Sequence, residues 1–206
     1  MKRAWLTVLI AALTASVAAQ SKKRQEQIED LLKKSDLVVV ATAQATYPII
    51  DIEKYRLERE ERGGYDPRRR SRYTTGTVYK LVINEVLYQK PARQSDRLHR
   101  EFHADDAVMI YVPGPPAHPL QGPVTFMAGT EYIAFLKRHH LDADDFPRAV
   151  QQDLNAPMRD WVSFPNPAET YFSVIPDPLA VKVVDDVWSK FVAETRAVVK
   201  TMRLTR

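Results

Sequence analysis

The sequence contains no cysteine, and this absence removes several classes of chemistry at once. Without cysteine there is no disulfide, no thiolate metal ligand, no cysteine nucleophile and no lipid-bearing cysteine. The fold must therefore rest on its own hydrophobic core. The 206 residues are 45% hydrophobic, which is enough for one core and too little to require two domains.

Glycine is also scarce, with six residues, and glycine-rich loops of the kind that bind phosphate are missing. No GxSxG elbow, GxGxxG turn or P-loop is present. His99 and His103 have a spacing that suits zinc, and Asp105 or Asp106 could complete a site for a metal-assisted hydrolase. The intervening residues do not make the HExxH arrangement, so we expect no enzyme, no cofactor and no metal.

The amino terminus has the pattern of a secretory signal peptide. After Met1-Lys2-Arg3, residues 4–19 carry no charge and end in small residues, so residues 1–19 are expected to be cleaved off. An uncleaved anchor is the alternative, but this segment is short against the roughly 20 residues that span a bilayer. We expect an exported protein, periplasmic or secreted, with no membrane span after cleavage.

Charge gives little reason to expect a nucleic-acid partner. Loss of Lys2 and Arg3 with the signal leaves 28 basic and 26 acidic residues, so the mature net charge falls from +4 to +2. Proteins that bind nucleic acid through electrostatics alone are usually far more basic than this. The sequence therefore favours a protein partner, with an acidic polymer or a glycan as the alternative.

The strongest secondary-structure signal is the strand pattern of residues 77–89. Its side chains alternate between two apolar faces, one with Tyr79, Leu81, Ile83 and Leu87 and the other with Val78, Val82, Val86 and Tyr88. Such a strand is typical of the middle of a sheet or of a barrel wall. Asn84 and Glu85 break the alternation, which predicts a bulge that lets the strand bend.

Shorter β patterns supply further strands for the same sheet. They cover residues 37–43, 107–112, 124–128, 131–136, 171–175 and 179–184. Pro176 and Pro178 interrupt the last two of these. The sequence therefore predicts a mainly β fold, with residues 20–206 forming a single domain.

A helix is expected at each end of this domain. Residues 21–34 predict a short helix with Ile28, Leu31 and Leu32 on one stripe. Residues 185–203 predict an amphipathic helix that Asp185 or Asp186 could cap. Its apolar face contains Val187, Trp188, Phe191, Val192, Val198, Val199 and Met202. We expect Trp188 and Phe191 to close one end of a barrel.

A charged segment, residues 47–75, separates the first strand from the central one and is predicted to be an inserted hairpin. Residues 53–72 contain 8 basic and 5 acidic residues, and Gly63-Gly64 marks a turn. A solvated loop is one interpretation. The other is a contact arm for an acidic partner, because guanidinium groups pair with anions and stack on rings. Its binding residues would be Tyr65, Arg68, Arg69, Arg70, Arg72 and Tyr73.

Three segments together resemble a known family. They are residues 35–41 (SDLVVVA), residues 79–90 (YKLVINEVLYQK) and residues 126–136 (FMAGTEYIAFL). They are similar to the netrin-type or tissue-inhibitor-of-metalloproteinases-like domain, an OB-type five-stranded barrel found in small exported bacterial proteins. The matching positions are Glu85, Val86, Leu87, Lys90, Phe126, Met127, Ala128, Gly129, Tyr132 and Phe135.

The resemblance implies an OB-like barrel with flanking helices, and it does not bring the family's inhibitory activity with it. Those inhibitors place an amino-terminal cysteine on the protease zinc, and this sequence has none. We therefore expect an exported, non-catalytic interaction domain. The alternative is an OB-type barrel that binds a polyanion or glycan, with Tyr79, Tyr88 and Tyr111 available for stacking.

Overall fold

The computed structural model describes residues 20–62, 72–91, 101–113, 125–139, 149–150 and 170–204. Helix α1 covers residues 20–34. The following elements are β1 (Leu37–Ile50), α2 (Ile52–Arg62), β2 (Thr74–Gln89), β3 (Ala107–Pro113), β4 (Glu131–His139), β5 (Ala149–Val150), β6 (Tyr171–Val174), β7 (Val181–Val183) and α3 (Ser189–Leu204). The fold is therefore mainly β with flanking helices, as the sequence predicts.

Five of the strands close into a ring. β1 pairs antiparallel with both β2 and β4, β2 pairs antiparallel with β3, and β4 pairs antiparallel with β6. A parallel pairing of β3 with β6 completes the ring in the order β1-β2-β3-β6-β4. The short β5 pairs with the far end of β1. β6 and β7 both lie along β4, and the chain between them contains the two prolines that predict an interruption.

One cluster of buried side chains lies inside the ring. Its members are Leu37, Val39, Ala41, Ala43, Tyr79, Leu81, Ile83, Phe102, Val108, Ile110, Val112, Phe126, Tyr132, Ala134, Leu136 and Phe172. Within each long strand these positions alternate, which is the period expected when one face of a strand is inward. The ring of Phe126 lies between Tyr79 and Tyr132, with centroid distances of 5.1 and 5.0 Å.

A second cluster lies outside the ring, where α1 and α3 cover β1 and β4. Its fully buried members include Ile28, Leu31 and Leu32 of α1, as predicted, and Phe191 of α3. Full burial of each such side chain contributes roughly 1.5–3 kcal/mol. Trp188 packs on Phe191 in this cluster at 5.8 Å between ring centroids. The prediction that these two residues close the end of a barrel is therefore wrong.

The start of α3 also differs from its prediction. The helix begins at Ser189 rather than 185 and ends at Leu204. Asp185 does cap the preceding turn, since its Oδ1 accepts hydrogen bonds from the backbone N–H groups of Val187 and Trp188 at 3.0 and 2.9 Å. Val187 lies in this turn and is 74% exposed, so it is not part of the apolar face.

Two of the three bulges in β2 decide which side chains of its second half face inward. In the pairing with β1, Val40 opposes Glu85 while Ala41 opposes Ile83, so Asn84 is the extra residue where the sequence predicts a bulge. A second shift, at Leu87, was not predicted. Each bulge moves the alternation by one residue. Leu87 therefore packs with the outer cluster instead of sharing a face with Tyr79, Leu81 and Ile83.

Two further expectations differ from the structure, one for the predicted strand at residues 124–128 and one for the insertion at residues 47–75. Among residues 124–128, the described positions 125–128 are not a strand, and Gly129 completes a turn with a φ of +79°. The insertion expected at 47–75 is shorter, because β1 continues to Ile50 and β2 begins at Thr74. These strand ends pair with each other, and α2 lies in the connection between them.

Gly76 and Gly129, the two glycines that the structure describes, should each lose stability on substitution by alanine, for different reasons. A Cβ at Gly76 would lie 2.6 Å from Cε2 of Tyr111, whereas a Cβ at Gly129 would meet nothing within 4 Å but would have to adopt a positive φ. We expect Gly76→Ala to lower the free energy of unfolding by about 1–3 kcal/mol through overpacking. We expect Gly129→Ala to lower it by about 1–2 kcal/mol through backbone strain. Urea denaturation measures both.

A double-mutant cycle separates these causes. In a Tyr111→Ala background, the cost of Gly76→Ala should fall because the ring it meets is gone, while the cost of Gly129→Ala should stay the same. Equal costs of Gly76→Ala in the two backgrounds would contradict the contact with Tyr111.

Candidate functional site

The connection between β1 and β2 is built around a helix cap. Asp51 Oδ1 accepts hydrogen bonds from the backbone N–H groups of Glu53 and Lys54 at 3.2 and 3.1 Å, which starts α2. Burial acts to raise the pKa of Asp51, but the hydrogen bonds and the Lys54 ammonium outweigh it and the pKa is lowered. The carboxylate is therefore charged at neutral pH and suits the amino-terminal end of a helix.

A small aromatic cluster attaches α2 to the sheet. Ile50, Tyr55 and Tyr73 are buried together, apart from the two larger clusters, with 0%, 5% and 2% exposure. The two tyrosine rings meet edge to face at 5.3 Å and 75°. The backbone N–H of Asp51 donates to the carbonyl of Tyr73 at 2.8 Å. These contacts hold both ends of the connection against β1 and β2.

The outward side of α2 is charged. Arg72 Nη1 lies 3.0 Å from Glu58 Oε1, which links the chain entering β2 to the middle of the helix. Leu57 is 57% exposed among charged neighbours. We refer to α2, Arg72 and the cluster of Ile50, Tyr55 and Tyr73 as the α2 platform.

Of the six predicted contact residues, the structure describes only Arg72 and Tyr73. Tyr65, Arg68, Arg69 and Arg70 lie outside the described residues. Arg72 is exposed on the α2 platform. Tyr73 is buried beneath α2, so its ring is not presented to a partner and its role is to hold the platform. The sequence does not predict the burial of Tyr73. A tyrosine next to an arginine occurs both in binding surfaces and in small hydrophobic cores, and the local pattern does not distinguish the two.

A second feature, absent from the sequence-based predictions, is a groove of about 410 Å³ between β2 and α3. Its floor is formed by Val86, Leu87 and Val199. Its α3 wall carries the basic residues Arg196, Lys200 and Arg203, and Glu85 stands on the β2 side. The signal in the sequence is the spacing of these basic residues by four and then three, which places them on one flank of a helix.

Glu85 and Arg196 form a two-point ion pair across one end of the groove. Arg196 Nε lies 2.9 Å from Glu85 Oε1, and Nη2 lies 2.5 Å from Oε2. The hydrogen bonds from Arg196 lower the pKa of Glu85, and the carboxylate in turn raises the pKa of Arg196. Both groups stay charged at neutral pH, and the pair joins α3 to β2.

The other candidate sites receive no support from the geometry. Tyr79 and Tyr111 are 5% and 8% exposed and lie in the buried clusters, and Tyr88 packs against the outer cluster, so these rings are not a stacking surface. His99 lies outside the described residues. Asp106 Oδ2 accepts a hydrogen bond from the backbone N–H of His103 at 2.9 Å, which is a turn contact. Within the described ranges no three potential metal ligands come together.

Comparison with known proteins finds no relative. No family model matches the chain, and neither the curated proteins nor the solved structures contain a match. In the part of the chain that the structure describes, no helix is long and apolar enough to cross a membrane.

The Glu85–Arg196 pair predicts a pH-dependent stability. The side chains are 41% and 53% exposed, so solvent screening keeps their contribution below about 1 kcal/mol at pH 7. Because the folded-state pKa of Glu85 lies below its ordinary 4.5, this stability is present above that value and is lost as pH falls through the lowered pKa. We expect Glu85→Gln to lower the free energy of unfolding at pH 7 and to have no effect near pH 2.

Urea denaturation at both pH values measures this difference. Glu26→Gln, on the exposed side of α1, is the matched control and should have little effect at either pH. A loss for Glu85→Gln that is equally large at the two pH values would show that charge pairing with Arg196 is not its cause.

Proposed function

We propose that this protein is an exported, non-catalytic binding domain that acts through a protein partner in the cell envelope or outside the cell. The observation that carries this proposal is the α2 platform. Its helix is attached by an aromatic cluster of its own, and none of its described side chains belongs to the clusters inside or outside the ring. A helix held in place without serving the main core is well suited to contact another molecule.

The arginine residues give the contact its chemistry. Arg72 is exposed on the platform, where it pairs with Glu58, and Arg68, Arg69 and Arg70 precede it closely in the sequence. Guanidinium groups form two-point hydrogen bonds with carboxylates, so a cluster of them selects an acidic surface. The partner in this proposal therefore presents aspartate and glutamate side chains to the platform and to the arginine run that leads into it.

The ring is, in this proposal, an OB-type five-stranded barrel. Its support is the order β1-β2-β3-β6-β4, in which a single parallel pair joins β3 to β6. The bulges at Asn84 and Leu87 let β2 curve as a closed barrel requires. OB-type barrels are general scaffolds for binding, which agrees with the proposed role but does not select a ligand.

The netrin-type or tissue-inhibitor-of-metalloproteinases-like relationship is also part of the proposal. It is supported by Phe126 and Tyr132, whose rings pack together inside the ring at 5.0 Å, and by the positive φ of Gly129 between them. Protease inhibition does not belong to it, because the inhibitors use a cysteine and this sequence has none. Export, to the periplasm or the outside, rests on the signal-like residues 1–19.

Binding of a polyanion or glycan through stacked tyrosines has less support. The burial of Tyr79 and Tyr111 leaves their ring faces covered by other core side chains. A protein partner for the α2 platform is therefore the stronger of the two proposals.

Charge reversal in the arginine run tests the proposed contact. We expect Arg68→Glu, Arg69→Glu and Arg70→Glu together to abolish a specific protein adduct when the protein is crosslinked in its native envelope extract. The reason is that three favourable charge contacts become repulsive. The measurement is the yield of the adduct, identified by mass spectrometry, against protein concentration. Unlike a deletion of residues 53–72, this variant keeps Tyr55 and therefore keeps the platform attached.

The matched control places the same charge change elsewhere. Lys22→Glu, Lys23→Glu and Lys34→Glu alter three exposed residues of α1 and should leave the adduct intact. Equal adduct yields from the wild type and from the arginine variant would overturn the proposed contact, and so would equal losses in both triple variants.

A further inference from the structure

The groove between β2 and α3 has an excess of positive charge. Of the three basic residues on its wall, Arg196 is paired with Glu85. Lys200 and Arg203 are exposed, and within the described ranges neither forms a salt bridge. Cations in the last turns of a helix favour the helix itself, so their position alone does not require a ligand. The groove beside these two cations is a separate observation.

The floor of the groove is apolar and continuous with the interior. Leu87 and Val199 are 5% and 4% exposed and belong to the cluster outside the ring, while Val86 packs against the cluster inside it. Leu204 also lines the groove and is 79% exposed. A ligand that fits this surface must combine negative charge with a small apolar group, because it meets cations on one wall and hydrocarbon below.

The spacing of the two cations without a salt bridge matches a short extended peptide. Lys200 and Arg203 are three residues apart, which corresponds to about 4.5 Å along the helix axis. An extended chain advances about 3.3 Å per residue, so carboxylates on residues two positions apart, roughly 7 Å from each other, are within reach of these two long side chains. The groove is open to solvent rather than closed around a small molecule, which favours a segment of chain over a compact ligand.

We propose that this groove binds an extended acidic segment of a protein partner, in which acidic residues flank an apolar one. The carboxylates pair with Lys200 and Arg203, and the apolar side chain rests on Val86, Leu87 and Val199. Arg196 remains paired with Glu85 and does not take part in these contacts. This binding surface is separate from the α2 platform, and it rests on the proposed function only in taking the ligand from a protein.

A labelled peptide provides the direct test. The protein is purified after export from a host that expresses the full chain, and it is titrated into a fluorescein-labelled Gly-Ser-Asp-Glu-Leu-Asp-Glu-Ser-Gly peptide. Fluorescence polarisation reports binding. We expect Lys200→Glu with Arg203→Glu to weaken binding at least about tenfold, because two ion pairs become repulsive. Added NaCl should also weaken binding of the wild type.

Two controls distinguish the groove from general attraction. Lys22→Glu with Lys23→Glu makes the same charge change on α1 and should leave the affinity within about twofold of the wild type, since exposed distant charges are screened. The same peptide with asparagine and glutamine in place of its acidic residues should bind at least about tenfold more weakly than the acidic peptide. Thermal unfolding of each variant confirms that its fold is kept.

Several results would overturn the inference. These are no binding of the acidic peptide at about millimolar concentration, equal binding of the neutral peptide, or equal losses in the two double variants. The variant that combines Arg68→Glu, Arg69→Glu and Arg70→Glu should bind the peptide as the wild type does. If that variant loses the peptide while the groove variant keeps it, the groove inference fails and the proposed function of the platform stands.

Discussion

The structure depends on β1 being apolar on both faces and paired on both edges. Its inward residues, Leu37, Val39 and Ala41, belong to the cluster inside the ring, and its outward residues, Val38 and Val40, belong to the cluster beneath the helices. The backbone of these same residues pairs with β2 on one edge of the strand and with β4 on the other. One short segment thus closes the ring and supports the helices, which is why its sequence is so uniformly hydrophobic.

The places available for binding follow from this arrangement. α1 and α3 cover the outer faces of β1 and β4, and Asp36 joins the strand ends through the backbone N–H of Arg138 and the ammonium of Lys90 at 2.9 and 3.3 Å. The connection between β1 and β2 is left to form the α2 platform. α3 crosses towards β2 and leaves the groove beside its basic flank. Each surface therefore lies next to an element whose position the closed ring determines.

Much of the secondary structure could be predicted, because it follows from local patterns. The burial of Ile28, Leu31 and Leu32 and the bulge at Asn84 were visible in the sequence. The predictions that were wrong concern residues whose position depends on tertiary contacts and not on the local sequence pattern. Nothing in the sequence around Leu87 marks its bulge, and Val187 has the apolarity of a helix face but lies in the turn that Asp185 caps.

The sequence by itself determined the absence of thiol chemistry, the mainly β character, the two terminal helices and the basic character of the segment before β2. These properties depend on composition and on the spacing of residues along the chain. Only the tertiary structure decided that Tyr73 is a core residue, and that Glu85 meets Arg196 across the end of a groove. Such pairings depend on ring closure and on register, and a shift of one residue moves a side chain to the opposite face of a strand.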